Sequence, residues 1–114
     1  MIRLIVLYNL HPFVDEEEFL AWRLGQHQAQ NMAASAILRS DFVRICDSWP
    51  EDTEPPYRFM TTADWPDLES FYRDFLDPEA QARLREDLKM LKDPVFLVSE
   101  ILVSEAKDSE KESP

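Results

Sequence analysis

The chain has 114 residues, of which 45% are hydrophobic and 31% charged, and its formal net charge at pH 7 is −11. This length and composition are typical of one globular domain, and so acidic a chain would repel the phosphates of a nucleic acid. The only cysteine, Cys46, leaves no partner for an intramolecular disulfide or a cysteine zinc site. The only glycine, Gly25, rules out the glycine-rich loops that usually hold nucleotides. We therefore expect no nucleic acid partner and no bound cofactor.

The N-terminal stretch MIRLIVLY is apolar but short, and no other run approaches the roughly 18 apolar residues of a membrane span. It lacks the basic leader and the small-residue cleavage site of a signal peptide. The stretch is instead typical of a buried strand. We expect a cytoplasmic protein that does not associate with a membrane.

The first part of the chain predicts a strand, a helix and a second strand. Residues 2–10 are rich in Ile, Leu and Val on both alternating faces, as in a strand that is covered on both sides. Asp15 is a candidate N-cap, and Glu18 completes a capping box for a helix that is expected to extend to about Ala34. Residues 36–48, AILRSDFVRICDS, predict a long second strand.

A third strand and a second helical segment follow an acidic, proline-rich loop. The loop covers residues 49–56, and the third strand is predicted over residues 57–63. The helical segment is expected to begin at Asp64, with a proline in its first turn, and to restart at Asp77-Pro78. Apolar residues continue at helical spacing after that restart.

The end of the chain predicts a fourth strand and a tail. Pro94 is expected to end the second helical segment, and residues 95–104, VFLVSEILVS, predict a strand that is apolar on both faces. The residues that follow are polar and lack large apolar side chains. We expect one domain over residues 1–105 and a disordered acidic tail over residues 106–114.

The predicted order β-α-β-β-α-β is that of an α+β, ferredoxin-like fold. It implies a four-stranded antiparallel sheet with the helices on one face. Because the first and last strands are apolar on both faces, the face without helices would expose apolar side chains, and such a surface is usually an interface. The pattern predicts a homodimer joined through the sheet face, which is a dimeric α/β barrel.

The stretch WRLGQHQAQN, residues 22–31, places polar side chains in the first predicted helix. At about 100° per residue, Leu24, His27 and Asn31 lie toward the sheet, and Trp22 lies on the opposite side. His27 and Asn31 are four residues apart and can therefore act on the same small space. A buried imidazole needs a partner, so His27 either transfers protons or makes a structural hydrogen bond.

The strands supply further candidates for a binding site. Tyr8 ends the first strand and Phe42 lies in the second, where both are candidate walls of a pocket. Glu100 interrupts the apolar run of the last strand, and an inward Glu100 would need a cation such as Arg44 beside it. The alternative is an ion-paired or edge-exposed carboxylate. No set of residues has metal-ligand spacing, so no metal is expected, and the run REDLKMLK is interpreted as a solvated helix face.

Four stretches carry a resemblance to known proteins: IRLIVLYNLHP, WRLGQHQ, DFVRICDSW and FYRDFLDPEAQARLREDLKML. Apart from its tail, the chain resembles the dimeric α/β-barrel superfamily. It is most similar to the RedY-like (HapK) proteins of prodigiosin-type pigment pathways, and more distantly similar to EthD-like proteins. The resemblance implies a pocket between sheet and helices in each subunit of a homodimer. That pocket would bind an apolar aromatic or pyrrole-type intermediate, and a pathway enzyme is a possible partner.

We favour an enzyme of secondary metabolism, such as pigment or antibiotic biosynthesis, that works without a bound cofactor. His27 would transfer a proton during a condensation, cyclisation or tautomerisation, and Asn31 would orient the substrate or stabilise developing negative charge. The expected substrate contacts are Tyr8, Leu24, Phe42, Arg44 and Glu100. Two alternatives remain: a cofactor-independent monooxygenase of the EthD-like kind, and a non-catalytic carrier or accessory protein for a pathway enzyme.

Overall fold

The structure, a computed structural model, describes residues 1–34 and 36–107. Its strands form one antiparallel sheet in the order β2-β3-β1-β4, and they are β1 Ile2–Leu10, β2 Arg39–Arg44, β3 Phe59–Trp65 and β4 Leu91–Glu100. The helical segment after β1 consists of α1 Glu16–Trp22, a π-helical turn Arg23–His27 and α2 Gln28–Met32. The segment after β3 consists of α3 Leu68–Phe75, α4 Pro78–Asp87 and a 3₁₀ turn Leu88–Met90. The predicted α+β, ferredoxin-like fold is confirmed.

The core lies between the sheet and the two helical segments. Alternate residues of β1 and β3 point to the same face of the sheet, because side chains alternate along a strand. They pack against one large aromatic side chain from α1 and one from α3. The buried core residues are Leu4, Val6, Tyr8, Phe19, Phe59, Ala63, Trp65 and Phe71.

The opposite face of the sheet, which we call the open face, is also apolar at its centre. The strand register places Ile5 opposite Leu97, and Leu7 opposite both Met60 and Val95. Leu97 is 48% exposed. At one end of this face, the guanidinium of Arg3 donates to both carboxylate oxygens of Asp64, at 2.8 and 2.9 Å.

The last strand begins and ends earlier than the sequence predicts. β4 starts at Leu91 rather than at residue 95, so the prediction that Pro94 ends the helix is wrong. Pro94 is accommodated because β4 is an edge strand and its register with β1 shifts between Leu7 and Asn9. A proline lacks the N–H that an interior strand would need, and edge positions and bulges tolerate that loss.

Local capping fixes the starts of the helices. Asp15 caps α1, as predicted, and Asp77 caps α4 at the predicted restart of the helix. Both side chains accept hydrogen bonds from backbone N–H groups three residues on. The predicted helix start at Asp64 is wrong, because Asp64 lies in β3 and Asp67 caps α3. The first helical segment ends at Met32, and β2 is shorter than predicted since only Arg39–Arg44 pairs with β3.

The expected boundary near residue 105 falls in a stretch without helix or strand, over residues 101–107. Most of the expected tail, residues 108–114, lies outside the described residues. No helix within the described ranges is long and apolar enough to cross a membrane.

Candidate functional site

A cavity of about 190 Å³ lies between the sheet and the two helical segments. Its floor is formed by alternate residues of β1 and β3, and the polar groups enter mainly from the helices. The strand residues are Leu4, Val6, Tyr8, Thr61, Ala63 and Trp65, with Leu91 and Phe96 from β4. The residues from the helices and their connections include Phe19, Trp22, Arg23, His27, Gln30, Asn31, Asp74, Phe75, Ala80, Arg83, Leu84, Asp87 and Met90.

The π-helical turn decides which residues of the first helical segment face this cavity. Its i→i+5 hydrogen bonds widen the turn, so a rotation of 100° per residue no longer applies across it. Residues four apart then stay on one face: Phe19 and Arg23 are buried, and His27 lines the cavity. Leu24 is 63% exposed, so its expected inward position is wrong. Trp22, which the regular helical wheel places on the far side, lines the cavity.

His27 lies beside the carboxylate of Asp87, which was not among the predicted site residues. Its Nε2 atom is 3.5 Å from Oδ2 of Asp87, and the two side chains are 19% and 22% exposed. The indole of Trp22 stacks on the imidazole, with ring centroids 4.4 Å apart. Asp87 is three residues after Leu84 and so shares its apolar helix face, which is the signal that could have revealed it. The interpretation of REDLKMLK as a wholly solvated face is therefore wrong at Asp87.

Burial shifts the pKa values of His27 and Asp87 in opposite directions. It lowers the pKa of His27 from 6.5 to about 4, and the nearby positive charge of Arg23 adds to this effect. Burial raises the pKa of Asp87 from 3.8 to about 6, although the positive charges of Arg83 and Arg23 oppose the rise. At neutral pH the imidazole is thus uncharged and the carboxylate largely ionised. The Nδ1 atom of His27 is buried and has no hydrogen-bond partner within the described ranges.

Arg23 brings a second charged group to the cavity, and its residue surface is only 2% exposed. Its Nη1 atom donates to Oε1 of Gln28 at 2.7 Å, and its Nη2 atom donates to Oγ1 of Thr61 at 3.3 Å. The guanidinium carbon lies 4.3 Å from the ring centroid of Phe42. The hydroxyl of Tyr8 is 3.4 Å from the same Thr61 oxygen. A buried cation thus lies at the cavity floor among uncharged hydrogen-bonding groups.

The structure brings together some of the predicted site residues and separates others. His27, Asn31 and Tyr8 all line the cavity. Phe42 does not line it, because its ring is stacked on Phe59 and lies against Arg23.

Two predicted substrate contacts lie away from the cavity. Arg44 is exposed at the end of β2, where Nη1 is 3.8 Å from a carboxylate oxygen of Glu16. Glu100 is exposed at the end of β4, which agrees with the edge-exposed alternative and not with an inward substrate contact. In the part of the chain that the structure describes, no group of three or more His, Cys, Asp and Glu residues could hold a metal ion.

Several solved structures share the fold. HapK from Hahella chejuensis has a TM-score of 0.70 at 17% identity, over 94% of this chain and 98% of that one. An EthD family protein from Bacillus halodurans has a TM-score of 0.69 at 21% identity, over 90% and 99% of the two chains. A dimeric ferredoxin-like protein of unknown function from Thermobifida fusca has a TM-score of 0.69 at 19% identity, over 88% and 90%. Identities this low establish the fold alone.

Sequence comparison identifies the family. No protein with a curated description matches the chain. The family described as REDY-like protein HapK matches residues 2–102, which is nearly the whole chain. The protein therefore belongs to the REDY-like HapK family.

Proposed function

We propose that this protein binds a small aromatic or pyrrole-type intermediate of secondary, prodigiosin-like pigment metabolism in its cavity, in the cytoplasm. His27 and Asp87 together transfer a proton during a condensation, cyclisation or tautomerisation that needs no bound cofactor. The observation that carries the proposal is the half-buried pair of these two side chains, 3.5 Å apart, on the wall of a mainly apolar cavity.

The proton-transfer role follows from the charge state of the pair. With Asp87 ionised and His27 neutral at pH 7, the imidazole proton is best placed on Nε2, toward the carboxylate. The Nδ1 lone pair is then a buried acceptor without a hydrogen-bond partner among the described residues. A general base works best with a pKa near the operating pH, and the value of about 6 for Asp87 meets this condition better than that of His27.

The ligand class is supported by the size and lining of the cavity. Its volume of about 190 Å³ exceeds that of the roughly 150 Å³ apolar cavity which accommodates benzene in another protein. One aromatic ring, or two small fused rings, would therefore fit. Asn31 is half-buried on the same wall, one turn after His27, where it would orient the ligand through its amide.

The homodimer is supported by the open face. Ile5, Leu7, Met60, Val95 and Leu97 lie on the face of the sheet opposite the buried core. Apolar surface of this kind is usually covered by a partner. Two copies packed through their open faces would leave both cavities on the outside of the barrel.

A binding and turnover screen tests the proposal. Pyrrole, indole and phenolic aldehydes and acids are screened by ligand-observed NMR with wild type, His27→Ala and Asp87→Asn, and each bound compound is then followed for product. The control is His11→Ala, which removes the other histidine from a turn outside the cavity lining. We expect both cavity variants to retain binding and lose turnover by about 100-fold or more, and the control to be unchanged.

The screen also separates the alternatives. Product formation that consumes oxygen, followed with an oxygen electrode, would replace the proposal with a cofactor-independent monooxygenase. Tight binding with no product from wild type would favour a carrier or accessory protein. Equal loss of turnover and thermal stability in His27→Ala would give His27 a structural role instead.

A further inference from the structure

The environment of Arg23 is unusual for a buried cation. The hydrogen-bonding groups beside it, on Gln28, Thr61 and Tyr8, are uncharged, and the ring of Phe42 covers one side of the guanidinium. Within residues 1–34 and 36–107, no carboxylate lies at ion-pair distance from it. Arginine is almost never fully buried without a paired anion, because removing a charge from water is costly.

The nearby carboxylate of Asp87 does not fill this gap. It acts on Arg23 only through space, and it lies against His27 instead. Burial lowers the pKa of Arg23, yet a guanidinium remains protonated at physiological pH. The cavity floor therefore holds a permanent positive charge that the described side chains leave without a direct counter-ion.

We infer that Arg23 forms an anion subsite and that the ligand of the cavity carries a carboxylate, which binds the guanidinium beside Thr61 and Tyr8 while its ring contacts the apolar wall. The inference rests on the proposed function only in taking this cavity as the ligand site. It adds the charge of the ligand, which neither the fold nor the family name gives.

The surrounding groups fit a carboxylate. The guanidinium is a planar set of donors that matches carboxylate geometry, and the hydroxyls of Thr61 and Tyr8 can donate as well. Burial raises the pKa of Tyr8, so its hydroxyl keeps its proton and remains a donor. The chain as a whole has a net charge of −11 and repels anions at long range. A local cation is therefore needed if the cavity is to take an acidic ligand.

Two probes of the same shape test the inference: indole-2-carboxylate and indole-2-carboxamide. They share the ring and differ in the charge of one substituent. Binding is measured at pH 7 by isothermal titration calorimetry on the full chain. We expect wild type to bind the carboxylate at least about tenfold more tightly, because charge-assisted hydrogen bonds are roughly twice as strong as neutral ones.

Variants at Arg23 test whether its positive charge is the source of the preference for the carboxylate. Arg23→Met removes the charge but keeps an unbranched side chain, and it should abolish the preference for the carboxylate. Arg23→Lys keeps a cation and should retain part of it. The control Arg44→Met makes the same change at an exposed position outside the cavity, and it should leave the preference unchanged. Replacing a buried ion with an apolar residue is often neutral or stabilising, so Arg23→Met is expected to fold, as circular dichroism would verify.

The outcomes separate this inference from the proposed function. The NMR signals of the His27 ring report whether a probe occupies the cavity. If both probes shift those signals and bind equally to wild type, or if Arg23→Met keeps the preference, the anion subsite is refuted while the aromatic ligand site stands. If neither probe shifts the His27 signals, the aromatic ligand site is refuted together with the subsite.

Discussion

Replacing Asp87 with asparagine should stabilise the protein, because the native state holds this carboxylate at a raised pKa. That pKa is about 6 in the folded protein and 3.8 in the unfolded chain. A group of this kind favours the folded state fully below pH 3.8, and the contribution is lost as the pH rises through 6. A shift of about two units corresponds to roughly 3 kcal/mol. Asp87→Asn should therefore raise the free energy of unfolding by up to about 3 kcal/mol at pH 8, and by only about 0.5 kcal/mol at pH 4.

His27 has the opposite dependence, which makes the comparison with wild type informative. Its pKa falls from 6.5 to about 4 on folding, so its contribution to stability is lost as the pH drops from 6.5 to 4. The contribution of Asp87 to the free energy of unfolding increases by a similar amount as the pH drops over nearly the same interval. In wild type the two contributions nearly cancel. In Asp87→Asn the loss from His27 is no longer compensated, and stability should fall steadily below pH 6.5.

Urea unfolding, followed by circular dichroism between pH 4 and 8 at one fixed protein concentration, measures both effects. The control is Glu86→Gln, an adjacent exposed carboxylate whose change should stay within about 0.5 kcal/mol at every pH. If Asp87→Asn were less stable than wild type at pH 8, the carboxylate would be a net stabiliser through His27 and Arg23. A difference that did not vary with pH would show that ionisation of Asp87 is not its cause. Either result would refute the reasoning.

Three further predictions concern the dimer, the core and a helix cap. Leu97→Lys should shift the protein from dimer to monomer in sedimentation velocity. The control Leu24→Lys, at an exposed leucine of the π-helical turn, should leave the dimer intact. A dimer that survives Leu97→Lys would place the interface elsewhere. Phe19→Ala should cost about 3–5 kcal/mol in urea unfolding and Leu24→Ala under about 0.5 kcal/mol, and similar costs would contradict the observed facing of the helix. Asp67→Ala should cost about 1 kcal/mol through loss of the α3 N-cap, and a cost no larger than that of Glu105→Ala, at an exposed residue outside any helix, would refute that role.

The element order could be predicted because its signals are local. Strand alternation in residues 2–10 and the caps at Asp15 and Asp77 depend only on neighbouring residues, and the structure contains all three. The start of β4 could not be predicted, since tolerance of Pro94 depends on which strand lies at the edge of the sheet. Edge position is a property of the assembled sheet and leaves no local trace.

The candidate site was harder to predict than the fold for two physical reasons. A π-helical turn has no sequence signature that we could recognise, and it keeps His27 on the helix face that buries Phe19 and Arg23. The partner of His27 lies on another helical segment, so only the folded chain brings Asp87 within 3.5 Å of it. Strand alternation places Tyr8 on one face of β1 with Leu4 and Val6, but both faces are apolar, so only the structure shows that this face lines the cavity.

The arrangement of charges supports the proposal that the cavity binds a ligand. Arg23, His27 and Asp87 each lose solvation on folding, which opposes their charged forms, and apolar side chains at these positions would avoid that cost. Groups with perturbed pKa values in a cleft are typical of functional sites. Here a permanent cation and a neighbouring imidazole and carboxylate line one cavity. A ligand with an acidic group at Arg23 would compensate the buried cation, whereas an apolar ring alone would not.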